Sequence, residues 1–150
     1  MIIDAQQLFS DAQALTATAV STNIIDLGTD RNVGIGEPMD VVINIDVAAT
    51  TNDGDETYQF DLETDDNAAF TSPEVLVRRL AGALPSIPRA DLTAGSRIIL
   101  PVPGDTRCQR FLRLNYTLGG TTPAVTVTSH LQPHNMTQAE AAYPDNVTIS

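Results

Sequence analysis

The stretch that decides the fold runs from residue 58 to residue 64 and reads Tyr-Gln-Phe-Asp-Leu-Glu-Thr. Its apolar side chains alternate with polar ones, and this period of two is the signature of a β-strand with one buried face. We therefore predict that the aromatic and aliphatic side chains, together with Thr64, point into a core. The polar side chains Gln59, Asp61 and Glu63 are predicted to form the wet face of the same strand.

The same alternation recurs along the chain and predicts a fold made almost entirely of strands. In the window 41–47 the four odd-numbered aliphatic residues share the predicted inner face. The β-branched residues in such windows pack well on a pleated surface. We therefore predict an all-β fold, a jelly-roll-like antiparallel β-sandwich with extended terminal arms. The other strand windows are 112–116, 125–131, 23–27 and 97–100.

Turn-forming residues separate these windows without marking a domain boundary. The cluster Thr51–Asp55 lies between two strong strand windows and predicts a hairpin loop. Proline and glycine are spread along the chain rather than gathered in one linker. We therefore predict a single domain covering residues 1–150.

Two segments allow more than one secondary structure. Residues 74–84 follow a good helix start at Ser72 and Pro73, yet their apolar and charged side chains also alternate, so a strand is favoured and a helix stays open. The apolar residues between Leu8 and Leu15 have helical spacing, but a run rich in threonine follows at once. We expect an extended or frayed arm there.

The charge of the chain excludes several classes of function. The chain has nineteen acidic residues, eight arginines and no lysine, which gives a net charge of -11. Without lysine there is no Schiff-base chemistry and no phosphate-loop lysine. The acidic excess argues against nucleic-acid binding by phosphate neutralisation. Residues 1–77 carry -14 and residues 78–150 carry +3.

The membrane and the secretory pathway are not expected settings. No stretch approaches the ~20 apolar residues that a spanning helix needs. Residues 1–5 carry no basic region ahead of an apolar run, so no signal peptide is expected. The single cysteine, Cys108, cannot form an internal disulfide. We expect assembly in the cytoplasm.

The candidate catalytic residues have ordinary structural explanations. His130 lies in an alternating window and is predicted to face solvent, and His134 follows Pro133 in a predicted loop. Cys108 has no histidine near it in sequence, and no nucleophile-elbow motif is present. The glycines at 28, 34 and 36 lack the strand–turn–helix context of a nucleotide loop and are assigned to turns or bulges. We therefore predict no catalytic residues, no cofactor and no enzyme activity.

Two groups of carboxylates were considered as binding sites. Asp53, Asp55 and Glu56 offer hard oxygen ligands of the type that calcium prefers, but their spacing does not fit the twelve-residue calcium loop. They are predicted to form a solvated acidic loop tip. Asp61 and Glu63 lie on one strand face rather than across a cleft, so they do not form a glycosidase pair.

Several longer motifs are distributed along the whole chain. The most specific is residues 62–73, Leu-Glu-Thr-Asp-Asp-Asn-Ala-Ala-Phe-Thr-Ser-Pro. Together these motifs resemble the capsid cement proteins of tailed bacteriophages, the family typified by a Bordetella phage. The stretch from Val75 to Arg107 carries the least distinctive part of the resemblance. The other matching segments are residues 3–5, 9–14, 21–28, 35–38, 110–116 and 143–150.

The resemblance implies a jelly-roll protein on the outer surface of an icosahedral phage head. It implies binding to an HK97-like major capsid protein at junctions between capsomers, which reinforces the shell against internal DNA pressure. Copies of the chain are expected to cluster at capsid symmetry axes as a dimer or a trimer. The expected location is therefore the virion, after assembly in the host cytoplasm.

The terminal segments supply the candidate contact residues. They are apolar with few charges, which suits docking on a neighbour or adding a strand to a sheet edge. The alternative is that they close the sandwich of their own domain. A different functional class also stays open, a calcium- or carbohydrate-binding β-sandwich module of the adhesin type. The candidate capsid or self-interface residues are Ile2, Ile3, Phe9, Tyr143, Val147 and Ile149.

Overall fold

The structure is a computed structural model, and nine β-strands account for most of the residues that it describes. The described residues are 5–30, 33, 37–81, 89–102, 104 and 108–134. Two single-turn 3-10 helices, Ala5–Gln7 and Arg89–Asp91, complete the described elements. No helix in these ranges is long and apolar enough to cross a membrane. The strands are β1 (Leu8–Leu15), β2 (Ala19–Val20), β3 (Ile25–Asp26), β4 (Met39–Val47), β5 (Thr57–Asp65), β6 (Glu74–Ala81), β7 (Arg97–Pro101), β8 (Phe111–Gly119) and β9 (Val125–Pro133).

The strands form two antiparallel sheets with jelly-roll connectivity. The first sheet has the order β1-β9-β4-β7, and the second has the order β2-β8-β5-β6, with β3 also paired to β8. Since β2 and β3 occupy successive parts of one edge beside β8, the arrangement is that of two four-stranded sheets. The predicted all-β, jelly-roll-like sandwich is therefore confirmed.

The connection at Thr51–Asp55 corrects one prediction. It was predicted as a hairpin loop, but β4 lies in the first sheet and β5 in the second, so the chain crosses between sheets there. Turn-forming residues show where the chain changes direction, but they do not show which strand the following strand will pair with. Among the described strands, β5 and β6 are the pair that are neighbours both in sequence and in a sheet.

The core lies between the two sheets and is filled by the inward faces of the central strands. The predicted inner faces of β5 and β8 are buried as expected. Phe60 of β5 and Tyr116 of β8 meet edge to face, with ring centroids 6.0 Å apart. On β4 the prediction holds up to Ile45. Val47 is exposed instead, because a register irregularity against β9 follows Ile45 and turns the last residues outward.

One polar network crosses this core. The Tyr116 hydroxyl lies 2.8 Å from the Ser10 hydroxyl of β1 and 2.8 Å from the Ser129 hydroxyl of β9. Burial raises the pKa of Tyr116 to about 12, so the phenol stays protonated at neutral pH. Because a buried hydroxyl is costly without a partner, this network favours one alignment of β8 against the opposite sheet.

The segment from Leu8 onward is a strand of the sandwich rather than a free arm. It pairs with β9, with two register shifts, and Ala12 adopts a φ of 44° within it. Its outer edge is closed by the chain between β2 and β3, where the Asn23 N–H donates to the Phe9 carbonyl at 2.9 Å. The Gln13 side chain adds a hydrogen bond to the Val20 carbonyl at 2.8 Å.

The ambiguous stretch 74–84 is a strand as far as Ala81, as the favoured alternative predicted. Residues 82–84 lie outside the described residues. Pairing with β5 explains the choice, since every residue of β6 except Leu76 gains a partner in the sheet that a local helix would not supply. The single-domain prediction for residues 1–150 stays a prediction.

Replacing Tyr116 with Phe tests the core network. We expect Tyr116→Phe to lower the free energy of unfolding by about 1–3 kcal/mol, because the buried hydroxyls of Ser10 and Ser129 lose a partner. Urea denaturation measures this difference. The triple variant Tyr116→Phe, Ser10→Ala, Ser129→Ala should recover part of the loss. Equal stability of the wild type and Tyr116→Phe would show that the network does not stabilise the fold.

Candidate interaction surface

The outward face of β5 is buried, which corrects the prediction that it is a wet face. Asp61 is only 1% exposed and Glu63 only 5% exposed. Arginines from the two neighbouring strands cover them. Arg78 of β6 binds Asp61 through two nitrogens, at 2.8 and 3.0 Å, and Gln59 donates to the same carboxylate at 2.8 Å. This fork geometry is the strongest form of an arginine–carboxylate pair.

A second ion pair lies one step along the same face. Arg113 of β8 donates to Glu63 at 2.8 Å, and its guanidinium stacks over the ring of Phe70 at 4.2 Å. Phe70 belongs to the loop between β5 and β6 and is buried despite a φ of 49°. We call the set Asp61, Glu63, Phe70, Arg78 and Arg113 the ionic face. These side chains hold strands β6 and β8, together with the loop between β5 and β6, against β5.

The last carboxylate of β5 shapes the same loop. Asp65 accepts the backbone N–H groups of Asn67 and Ser72 at 3.0 and 2.8 Å, and these hydrogen bonds lower its pKa. The pKa of neighbouring Asp66 is raised, chiefly by a side-chain hydrogen bond with Asp65. The resemblance motif 62–73 thus comprises the end of β5 and the loop that folds over its outward face.

An exposed ion pair extends this surface toward β3. Arg110 donates twice to Asp26, both times at 2.9 Å. The arginine, helped by the Gly28 N–H, lowers the pKa of Asp26 to about 2. Gly28 has a φ of 78° in this turn, in agreement with its predicted turn role. Because both charged side chains are nearly half exposed, solvent weakens the pair, and we expect only a small effect on stability.

The acidic loop tip is also more structured than predicted. Glu56 is fully buried, and its carboxylate accepts the backbone N–H groups of Asp53 and Gly54 at 2.9 and 3.1 Å. The first of these is the largest cause of its lowered pKa. Arg89 donates to the Glu56 carbonyl at 2.9 Å and also to the Gly54 carbonyl. Asp55 accepts two hydrogen bonds from Thr121, each at 2.9 Å.

These contacts leave the tip carboxylates occupied by the protein itself. Gly120 packs so tightly on this loop that a β-carbon there would lie 2.5 Å from the Asp55 carbonyl oxygen. The tip is therefore a rigid junction between the β4–β5 and β8–β9 connections. Across the described residues, no three His, Cys, Asp or Glu side chains are grouped so that they could hold a metal ion.

The histidines and the cysteine lie in quite different surroundings. His130 was predicted to face solvent but is only 3% exposed, because Leu8 of β1 and Val42 of β4 lie opposite it in the neighbouring strands. The Nδ1 atom of His134 lies 2.7 Å from a carboxylate oxygen of Asp40. Burial raises the pKa of the Cys108 thiol, the opposite of what a nucleophilic thiolate needs.

The structure describes only one of the six candidate contact residues. Phe9 is fully buried in the core of its own domain, so its side chain is not on the surface. The other five, Ile2, Ile3, Tyr143, Val147 and Ile149, lie outside the described residues. Glycines 34 and 36 also lie outside them.

Sequence reasoning did not find the ionic face. The signal was present, because Asp61 and Glu63 alternate on one strand and arginines alternate with apolar residues on two others. The ionic face can be recognised only once the strand register is known, because the register places Arg78 opposite Asp61 and Arg113 opposite Glu63.

Removing Arg78 tests the ionic face against a neighbour on the same strand. We expect Arg78→Ala to lower the free energy of unfolding by about 1–3 kcal/mol, because the buried Asp61 carboxylate loses its partner. Arg79→Ala is the matched control and should change it by less than about 0.5 kcal/mol, since both arginines are exposed but Arg79 does not pair with the buried Asp61 carboxylate. Chemical denaturation measures both, and equal losses would contradict this account.

His130 should make the fold sensitive to mild acid. Its Nε2 lies 3.0 Å from Gln132, while its Nδ1 is buried with no hydrogen-bond partner among the described residues. Burial, aided by repulsion from Arg97, lowers its pKa below the usual 6.5. The neutral form is thus favoured in the folded state, so stability is full above about pH 6.5 and declines as the pH falls below it.

Thermal melts between pH 7.5 and pH 5 measure this effect above the range where carboxylates titrate. We expect His130→Gln to flatten the decline, because glutamine has no group that titrates in this interval. A wild-type protein whose melting temperature does not change over this interval would refute the assignment.

Comparison with known families gives one match. The family model described as Bbp16 matches residues 9–131, which begin in β1 and end in β9. The name is that of a Bordetella phage family. No curated protein matches the chain.

Proposed function

Because the chain belongs to the Bbp16 family, a phage protein family, we propose that it is a cement protein of the phage head. In this role it binds the outer surface of a shell built from an HK97-like major capsid protein and stabilises that shell. The match over residues 9–131, which spans both sheets, carries the proposal. The work is done by surface contact, with no reaction to catalyse and no cofactor.

The internal bonding of the domain supports this role. A brace between capsomers must resist deformation, so its strands and loops need to be fixed to one another. The ionic face ties β5 to β6, β8 and the loop between β5 and β6. At the other end of the sandwich, Arg89 and the tip carboxylates join the inter-sheet connections. The acidic groups examined as catalytic or metal-binding candidates are thereby engaged in holding the fold.

The partners and the location follow from the same proposal. Copies of the chain cluster at capsid symmetry axes, as a dimer or a trimer, and the finished protein lies on the outside of the virion. The excess of carboxylates suits basic patches on the shell, and such complementarity speeds assembly at low salt.

The carboxylates that suggested a calcium site are engaged in hydrogen bonds with the protein itself. The Glu56 carboxylate accepts backbone N–H groups of its own loop, and the Asp55 carboxylate accepts the N–H and hydroxyl of Thr121 in the β8–β9 connection. A carbohydrate module usually stacks sugar rings on exposed aromatic residues, whereas this chain has no Trp and only 5% aromatic residues. The cement role is therefore the function that we propose.

Binding to heads that lack this protein tests the proposal. Purified protein should co-sediment with expanded shells, saturate at a fixed copy number and raise the temperature at which the shells break. Shells already carrying the protein are the control and should take up none. Absence of co-sedimentation at saturating protein concentration would contradict the cement role.

A further inference from the structure

The four sheet edges of the sandwich are not equivalent. The β1 edge and the edge formed by β2 and β3 close on each other through the hydrogen bonds of Asn23 and Gln13 described above. The β7 edge is short, with five residues ending at a proline. The edge of β6 is eight residues long, and its outer side pairs with no described strand. It is the longest described strand edge left open.

The side chains on β6 give this edge a definite character. Val75 is 44% exposed, an unusual position for a large aliphatic side chain. Arg78 is turned toward Asp61 and is held there. Arg79 is exposed and makes no hydrogen bond or ion pair with any described residue. The edge thus combines a backbone ladder that no described strand pairs with, an exposed apolar residue and an exposed cation, on a chain whose net charge is -11.

A register shift in β6 leaves a regular segment beyond it. Leu62 pairs with Val77 while Glu63 pairs with Val75, so Leu76 is the extra residue of a bulge. Bulges and charged side chains protect edge strands from indiscriminate pairing. From Val77 to Ala81 the ladder to β5 is unbroken. A partner strand that neutralises the cation could align there, whereas an uncharged or basic strand would leave the arginine unpaired.

We propose that β6 is the docking strand of this domain and accepts an extended acidic segment of the shell protein as an added antiparallel or parallel strand. Backbone hydrogen bonds along residues 77–81 supply the affinity, and a carboxylate of the segment pairs with Arg79 to set the register. This inference rests on the proposed cement function and specifies the surface through which it operates.

Three variants measured against shells that lack the protein test the inference. Arg79→Glu should weaken co-sedimentation by about tenfold or more, because a carboxylate would then face a carboxylate. Arg79→Lys keeps the charge and should bind within about threefold of the wild type. Ile24→Glu adds a negative charge at the opposite, closed edge and should bind like the wild type. Circular dichroism and thermal melts confirm that each variant is folded.

Hydrogen exchange distinguishes strand addition from a simple ion pair. Amides within residues 77–81 should become protected when the wild-type protein binds the shell, because an added strand takes up the free backbone groups. Suppose that the wild type binds, that Arg79→Glu binds equally well and that these amides stay unprotected. The assignment of β6 as the docking strand is then wrong, while the cement role stands. If the wild type does not bind, both fail. If Arg79→Glu loses only self-association, the edge pairs copies of the chain and the inference is overturned.

Discussion

A strand buried on both faces cannot carry ionised carboxylates without partners, and β5 carries three. Its inner face fills the core, and its outer face buries Asp61, Glu63 and Asp65. An unpaired buried charge costs several kcal/mol, so each carboxylate requires a donor within reach. Arg78, Arg113 and two backbone N–H groups meet that requirement. The placement of β6, of β8 and of the loop between β5 and β6 is tied to this one constraint.

The same constraint connects the fold to its proposed use. Strand β6 is held to β5 by backbone hydrogen bonds and also by the side chains of the ionic face. The outer edge of β6 therefore belongs to a well-anchored strand. Arg78 is already paired with Asp61, and Arg79 is the other exposed cation on this strand that a partner could meet. A domain whose strands are fixed to one another in this way has the stiffness that the proposed shell brace requires.

The inner faces of the main strands could be predicted from the sequence, because a period of two depends only on which side chains seek the core. The outer faces could not. Asp61, Glu63 and His130 look solvated in sequence, yet neighbouring strands cover them. The crossing at Thr51–Asp55 was misread for a related reason, since pairing partners are set by the whole sheet. The resemblance motif 62–73 pointed to a Bordetella phage family, in agreement with the Bbp16 match, but its physical role as the loop on the ionic face needed the structure.

We propose that this domain sits on the outside of a phage head and holds neighbouring shell subunits together. A cryo-electron microscopy reconstruction of the intact particle tests it most directly. The account predicts jelly-roll density outside the shell, bridging adjacent capsomers, with the β6 edge turned toward a shell segment. Density for this chain in the tail or inside the head, or its absence from the particle, would contradict the account.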